Sequence, residues 1–468
     1  MAEQAYQNER AARFFQQMKG KSVAFCGIGV SNLPLIRQFA QLGAVVTACD
    51  KRSRQQLGAT ADELEEMGVA LKLGEGYLED LNQEVIFRSP GMRFTLPQLE
   101  RARANGAAVT SELEVFFALC PCPIYAVTGS DGKTTTTAII AQLLQEAGKT
   151  VHLGGNIGRP LLPEINAVAP GHAAVVELSS FQLISMRQSP HVAVVTNLSP
   201  NHLDVHKDMQ EYIQAKKNIL LHQDAFSKTV LNQDNDITRG FAGDVRGELR
   251  FFSRRGQCEN GAWADGDAVY LARHGRQEAV LPVGEIHIPG WHNVENYLAA
   301  FSAVCDEVSV EQMRRVARTF AGVEHRAEFV REVNGVRYYN DSIASSPTRT
   351  IRGTLSLYPQ RIVLIAGGYD KKIPYEPLGP VIADKVKTLI LMGDTAPKIE
   401  QAVRAAENYD PQALSILHVD NMEQAVRAAQ ANSQAGDIVS LSPASASFDK
   451  YPNFETRGRH FKELVMRL

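Results

Sequence analysis

One stretch limits what this chain can fold into. Ile124–Val127 is a short apolar run that breaks at Gly129-Ser130-Asp131-Gly132 and continues as Lys133-Thr134-Thr135. Ile139, Ile140, Leu143 and Leu144 then recur on one helical face until Gly148. A strand that ends in glycines and re-enters a helix within a few residues aims backbone N–H groups and the positive helix end at one point. Lys133 adds a positive charge and the Thr134 hydroxyl can reach a Mg²⁺, so the stretch reads as a phosphate cradle. Its spacing is compressed, with Gly129 closer to Gly132 than the common P-loop pattern has it. A turn that merely needs flexible glycine satisfies the pattern as well; the Lys-Thr pair favours ATP.

Composition narrows the setting. The chain is 44% hydrophobic and 22% charged with a net charge of −3, so a nucleic-acid or polyanion surface is not expected. No apolar run approaches the roughly 20 residues of a membrane span. The opening Met1-Ala-Glu-Gln-Ala-Tyr6 is polar and acidic rather than signal-like, and a cytoplasmic monomer is expected. A length of 468 residues allows about three domains. Six scattered cysteines, of which only Cys120 and Cys122 are close, match no zinc or redox motif and are expected to be reduced thiols.

The first domain is expected over 1–118. After an amphipathic lead-in, Ser22–Cys26 reads as a strand, followed by Gly27-Ile-Gly29-Val-Ser31-Asn32, a helix to about Leu42 and a second strand over 44–49 that ends at Asp50. This is a nucleotide-binding βαβ layout with an acid where a ribose hydroxyl would sit. Asn32 stands in place of the third glycine, which weakens the dinucleotide reading; a single nucleotide, or no ligand, fits as well. Val85–Arg88 reads as a strand running into Ser89-Pro90-Gly91, a turn at a strand's carboxyl end where ligands of α/β sheets lie.

The second domain is expected over 119–324. Gly154-Gly155-Asn156-Ile157-Gly158 is a glycine-rich loop, and the strand 173–176 runs into Glu177, an acid placed to hold Mg²⁺ beside the phosphate loop. The run Val192–Val195 leads to Asn201-His202-Leu203-Asp204, and Lys216-Lys217 follow on a helical segment, where a neighbouring cation lowers a lysine's pKa. Residues 245–288 read as hairpins. Asn293 and Asn296, one helical turn apart near a helix start, are poor helix-interior residues with a polar task. The third domain, 325–468, alternates strands at 336–339, 362–366, 388–392, 415–418 and 438–441 with helical patterns at 396–406 and 421–432, an open doubly wound sheet. Its strand ends carry Asn340-Asp341-Ser342, Gly367-Gly368-Tyr369-Asp370-Lys371 and Ser442 to Asp449, the mark of a binding crevice. The fold class is α/β throughout: a Rossmann-like first domain, a central P-loop-type ATPase domain with a mostly parallel sheet, and a Rossmann-like third domain.

Taken in order, the phosphate loop, Glu177-Leu-Ser-Ser180, Asn201-His-Leu-Asp204, His292-Asn293 with Asn296, and His325-Arg326 resemble the Mur ligases, ATP-dependent amide-bond ligases of peptidoglycan synthesis. Asn340-Asp-Ser342 with Ser346, Leu441 to Asp449, and Asn453-Phe454 to Gly458 are similar to the branch that adds D-glutamate. The D-N-x-R sequence of the diamino-acid-adding branch is absent after Met392. Departures are Asn201 for a usual Asp, Ser130-Asp131 for Thr-Asn, Ile343 where some members carry Lys, and Ser445 for a frequent Cys.

The resemblance implies that a peptide carboxylate of UDP-MurNAc-L-Ala attacks the γ-phosphate of ATP and that D-glutamate then attacks the acyl phosphate. One anion pair at ~4 Å costs roughly 4 kcal/mol at an effective dielectric of about 20, so cations must be the main device. The implied ATP site is Gly129, Ser130, Asp131, Gly132, Lys133, Thr134, Thr135, Asn293, Asn296, Arg326 and Asp341. The implied uridine-substrate site is Gly29, Ser31, Asp50, Gly91, Asn156 and His202. Lys371, Ser447 and Phe454 would take D-glutamate. Two Mg²⁺ ions are implied, one on Thr134 and Glu177, the other on His202 and a Lys216 carbamylated by CO₂. Lys133, His202 and Lys216 would be catalytic, with Lys217 favouring the neutral Lys216 amine. Three alternatives stand at this point: an amide ligase for a different amino acid, a nicotinamide-dependent oxidoreductase using Gly27 to Asp50, and a regulatory nucleotide-binding protein with a dead site.

Overall fold

Three runs of buried strands organise the chain. The computed structural model describes residues 6–199 and 206–468. In the first run, five parallel strands, β1 (Ser22–Cys26), β2 (Val45–Asp50), β3 (Ala70–Leu73), β4 (Val85–Arg88) and β5 (Ala108–Thr110), lie in the order β3-β2-β1-β4-β5. β1 is buried from Val23 onward, which is why it reads as a continuous apolar run rather than an alternation. The helix Leu33–Leu42 covers it: the Phe39 ring lies 5.4 Å from both Phe25 and Phe87, themselves stacked at 4.9 Å. The chain order reverses between β1 and β4, so the turns at 27–32 and 89–91 face one crevice.

The second sheet has nine strands: β6 (Ile124–Thr128), β7 (Val151–Gly155), β8 (Ala173–Glu177), β9 (Val192–Val195), β10 (Lys228–Asn232), β11 (Glu248–Ser253), β12 (Gly261–Ala264), β13 (Ala268–Arg273) and β14 (Arg276–Pro282). Their order is β14-β13-β12-β11-β10-β9-β6-β8-β7, with β6 flanked by β8 on one side and β9 on the other. β6, β8 and β9 are wholly buried and mutually parallel, so all three deliver their carboxyl ends to one edge. The stretch expected as hairpins is one only in part. β11 and β12 extend the parallel sheet, and β13 and β14 alone complete it in antiparallel fashion.

The third sheet runs β15-β16-β20-β17-β18-β19, from β15 (Glu328–Val333), β16 (Val336–Asn340), β17 (Ile362–Ala366), β18 (Val386–Leu391), β19 (Ser415–His418) and β20 (Ile438–Leu441). Only the β15–β16 pair is antiparallel. The helices Ala396–Arg404 and Met422–Ala431 fall where the periodicity places them. The chain divides into two compact units. One holds residues up to Glu285 together with Val294–Arg318, and the other holds Ile286–Asn293 with Thr319–Leu468. The first unit contains two of the sheets, joined by one hydrophobic cluster that includes Phe25, Phe39, Ile124, Ala126 and Val176. Among the described residues no helix is long and apolar enough to cross a membrane.

Phe39 is fully buried at the centre of the first sheet's ring cluster. Phe39→Ala should therefore destabilise the first unit by about 3–5 kcal/mol, read as a lower urea midpoint by circular dichroism. An unchanged midpoint would remove the ring cluster from the core of that sheet.

Candidate functional site

The phosphate loop is built by the end of β6 meeting the end of β9. A Cβ on Gly129 would overlap Thr196 Oγ1, and the chain turns there only because glycine leaves that space. Gly132, at φ +77°, starts the helix Lys133–Glu146, and a Cβ on it would overlap Asn296 Oδ1. The loop is held from β9: Ser130 N donates to Asn197 O (2.8 Å), Asp131 N to Asn197 Oδ1 (3.0 Å), and Thr196 Oγ1 to Asp131 O (2.6 Å). Below it, the Ser130 hydroxyl meets the Tyr212 hydroxyl at 2.9 Å. Lys133 Nζ donates to the carbonyls of Gly129 and Ser130, both at 2.9 Å, so its charge lies over the loop. Thr134 is half-buried and Thr135 buried in the helix's first turn. Asn296, itself buried, accepts from Thr136 Oγ1 at 3.1 Å and so braces this turn.

Glu177 ends β8 and is 1% exposed. Its Oε1 accepts from Asn156 Nδ2 at 2.7 Å, while its Oε2 is buried with no hydrogen-bond partner among the described residues. A buried carboxylate oxygen left without a donor suits a cation, which fits the Mg²⁺ implied for this position. Lys216 lies on the helix Met209–Leu221 and is 2% exposed; its Nζ donates to Thr128 Oγ1 (3.1 Å) and sits 5.0 Å from the Tyr212 ring centre. Burial pushes its pKa well below the usual lysine value, and the charge of Lys133 pushes it further, against the opposing pull of Glu177 and Asp131. The cation responsible is thus not Lys217, as the adjacency in sequence suggested. On a helix, consecutive residues point apart, and Lys217 pairs with Asp244 and lies over the Phe241 ring. His202, with Asn201 and Asp204, lies outside the described residues.

In the first sheet, Gly29 and Gly91 are exposed and Ser31 half-buried at the β1 and β4 ends. Asp50 is the last residue of β2, and its carboxylate is closely held. Oδ2 accepts from Ile28 N (2.7 Å) and Arg52 Nη2 (2.9 Å), Oδ1 from Arg52 N and Nε (both 2.9 Å). Burial alone would raise its pKa, but the Arg52 side chain and the two backbone donors bring it down to about 2. Asn32, in the third glycine position, donates its amide to Cys26 O and Gly27 O (3.3 and 3.0 Å), fixing the loop by hydrogen bonds.

In the third sheet, Asp341 is buried and accepts from Thr354 Oγ1 (2.8 Å), Ser442 Oγ (2.9 Å) and Ala327 N (3.2 Å). Arg326 lies close enough for its charge to favour that carboxylate, though burial outweighs it and raises the pKa to about 6. Asn293 Nδ2 donates to Pro289 O (2.6 Å). Ser447 is buried, Lys371 exposed, and the Phe454 ring meets His325 edge-on at 5.9 Å. Glu324, His325 and Glu328 form a cluster with metal-ligand spacing, but Lys462 Nζ already serves it as the cation, 3.1 Å from Glu324 Oε1 and 2.5 Å from Glu328 Oε1.

Several residues that shape the site carry no assigned role in the sequence pattern. Tyr212 stands one helical turn before Lys216 and reaches the phosphate loop, a spacing legible in sequence. Arg457 is buried and donates to the Ser342, Ser445 and Ala446 carbonyls at 2.8–3.1 Å, tying the β16 and β20 ends together. Thr128 and Thr196 carried no signal beyond ending a strand.

Comparison with known proteins follows the same lines. Residues 127–304 match the family described as the Mur ligase middle domain, and residues 325–445 match the Mur ligase glutamate ligase domain. A protein from Acetivibrio thermocellus, named UDP-N-acetylmuramoylalanine–D-glutamate ligase, is 52% identical over 461 residues, covering 98% of this chain and 99% of its own length. A Clostridium botulinum (strain Okra) protein of the same name is 49% identical over 458 residues, again 98% of this chain and 99% of its own. Among solved structures, MurF from Acinetobacter baumannii superposes with a TM-score of 0.59 at 16% identity, covering 95% of this chain and 91% of its own. UDP-N-acetylmuramate-alanine ligase from Thermotoga maritima gives 0.57 at 15% identity, covering 96% and 99%. At these identities the superpositions speak for the three-domain α/β fold.

The buried Asp341 carboxyl has a pH signature. Its native pKa of about 6 lies above the ordinary 3.8, so between those values the folded state holds a proton that the unfolded state releases. Its contribution to stability is therefore full below about pH 4 and falls as pH rises through 6. Asp341→Asn should flatten that part of a stability-against-pH curve measured by urea titration; a curve with the same slope in the variant would contradict the assignment.

Proposed function

The chain belongs to the Mur ligase family, and from that membership we infer that it joins D-glutamate to UDP-N-acetylmuramoyl-L-alanine at the expense of ATP, a cytoplasmic step of peptidoglycan synthesis. The observation that carries this reading is the full-length relationship to the Acetivibrio thermocellus ligase. Residues 1–118 take the uridine end of the substrate, 119–324 take ATP, and 325–468 take the amino acid.

The peptide carboxylate attacks the γ-phosphorus of ATP, giving an acyl phosphate and ADP. The D-glutamate amine then attacks the acyl carbon, inorganic phosphate leaves with the C–O bond, and the nitrogen loses a proton. Both steps crowd anions together, and the chain's contribution is to supply and place opposite charge. Lys133 and the amides from Gly132 to Thr135 serve the β- and γ-phosphates, while the Ser130 and Asp131 amides, already donating to Asn197, shape the loop around them. Thr134 and Glu177 would hold one Mg²⁺, and His202 and Lys216 a second; bound there, the ions would supply positive charge against the phosphates. The orphan Oε2 of Glu177 supports its part. Lys216 supports its own through burial. A neutral amine adds to CO₂, forming an N–C bond and releasing a proton, and the carbamate anion so made offers oxygen where a cation stood. Asn293, Asn296, Arg326 and Asp341 take the rest of the nucleotide. Gly29, Ser31, Asp50, Gly91, Asn156 and His202 take the uridine substrate, and Lys371, Ser447 and Phe454 take D-glutamate.

Phosphate release from ATP with UDP-MurNAc-L-Ala and a panel of amino acids tests the assignment. Release should require D-glutamate; release with L-lysine or diaminopimelate instead would overturn it. Lys216→Ala should lose at least about 100-fold in kcat, with partial recovery on adding short carboxylic acids. Undiminished activity in that variant would remove the carbamate from the account.

A further inference from the structure

We propose that Glu112 is a positioning residue that sets the geometry of the Asn156–Glu177 pair from outside the site. Glu112 opens the helix Glu112–Leu119, yet its side chain turns inward and the residue is 6% exposed. Its Oε1 accepts two backbone N–H groups at once, from Leu161 and Leu162, each at 2.7 Å. Among the described residues no cation pairs with it, and burial lifts its pKa to about 7 against the pull of those two donors. A buried carboxylate without a counter-ion opposes folding, and an apolar side chain of similar volume would serve packing better. What it does offer is a hold on the segment whose two amides it accepts.

That segment leads directly to Glu177. Leu161 lies against Gly154, where a Cβ would come within 2.6 Å of Leu161 Cγ and 2.7 Å of Arg159 O. Gly154 and Gly155 end β7, which pairs with β8 so that Gly155 stands opposite Glu177. The next residue, Asn156, donates its backbone N–H to Glu177 O (2.8 Å) and its side-chain amide to Glu177 Oε1 (2.7 Å). Glu112 therefore fixes the Leu161–Leu162 amides, Leu161 closes on Gly154, and the turn that follows presents Asn156 to Glu177. With Oε1 held by Asn156, Oε2 is the oxygen left for a cation. Partners of metal ligands change affinity about 10- to 100-fold when removed, and Glu112 acts one contact further out.

The inference rests on reading Glu177 as a metal-holding acid, and the test separates the two. Mn²⁺ binding to the full-length protein with ATP present is followed by electron paramagnetic resonance, alongside kcat, KM for D-glutamate and thermal stability. Glu112→Leu should weaken Mn²⁺ binding about fivefold to tenfold and raise the Mg²⁺ needed for half-maximal activity by the same factor, with KM for D-glutamate unchanged. Glu112→Gln, which keeps an acceptor oxygen, should stay within about twofold of the wild type. If Glu112→Leu does not fold, Glu112→Asp, too short to reach both amides, is read in its place and should fall between the two. Wild-type protein that fails to bind Mn²⁺ with ATP overturns the reading of Glu177. Wild-type binding that is retained in full by the Leu or Asp variant, or a Gln variant as weak as Leu, overturns the positioning role alone.

Discussion

The site depends on two lysine amines and one carboxylate gathered at the carboxyl ends of the buried parallel strands β6 and β8. β6 and β8 deliver the phosphate loop and Glu177 to one edge, and the helix Met209–Leu221 brings Lys216 to Thr128 at the tip of β6. Lys133 and Lys216 are close enough to repel, and burial falls on Lys216, so that amine is the one driven toward neutrality. Lys133 Nζ lies over the loop carbonyls of Gly129 and Ser130. The two lysines thus stand in different surroundings, one donating to the loop carbonyls and the other buried with its pKa pushed well below the usual lysine value.

The rigidity of that arrangement comes from side chains packed around the loop and the start of its helix. Thr196 and Asn197 hold the loop from β9, Asn296 braces the helix start through Thr136, and Tyr212 joins the loop to the helix that carries Lys216. Gly129 and Gly132 are glycines because the space that a Cβ needs is already filled by Thr196 and Asn296. The chain thus turns into its helix between two side chains that accept only glycine at these positions.

Much of this was legible in sequence because it is local. The strand–glycine–Lys-Thr–helix order, the acids and polar clusters at strand ends and the three sheets all follow from short-range pattern. What was hidden depends on contacts across the fold. Lys217 is next to Lys216 in sequence yet faces Asp244, while Lys133, far away in sequence, supplies the repulsion. Asp50 looked like a ribose acid by spacing, but no spacing reveals that Arg52 and Ile28 engage both its oxygens. Ser445, where the resemblance leads one to expect Cys, has a structural use for its hydroxyl: it meets Tyr375 and Thr395 hydroxyls, each at 2.8 Å. Glu112 could not be singled out at all, since its partners are two backbone amides.

The proposed conversion of the buried Lys216 amine, its pKa pushed well below the usual value, into an anionic metal ligand has a direct spectroscopic signature. Carbon-13 NMR of the protein in ¹³C-labelled bicarbonate tests it most directly. A carbamate resonance that is present in the wild type, absent in Lys216→Ala and retained in Lys217→Ala is the predicted result. A wild-type spectrum without that resonance, or one in which it follows Lys217 instead, would contradict it.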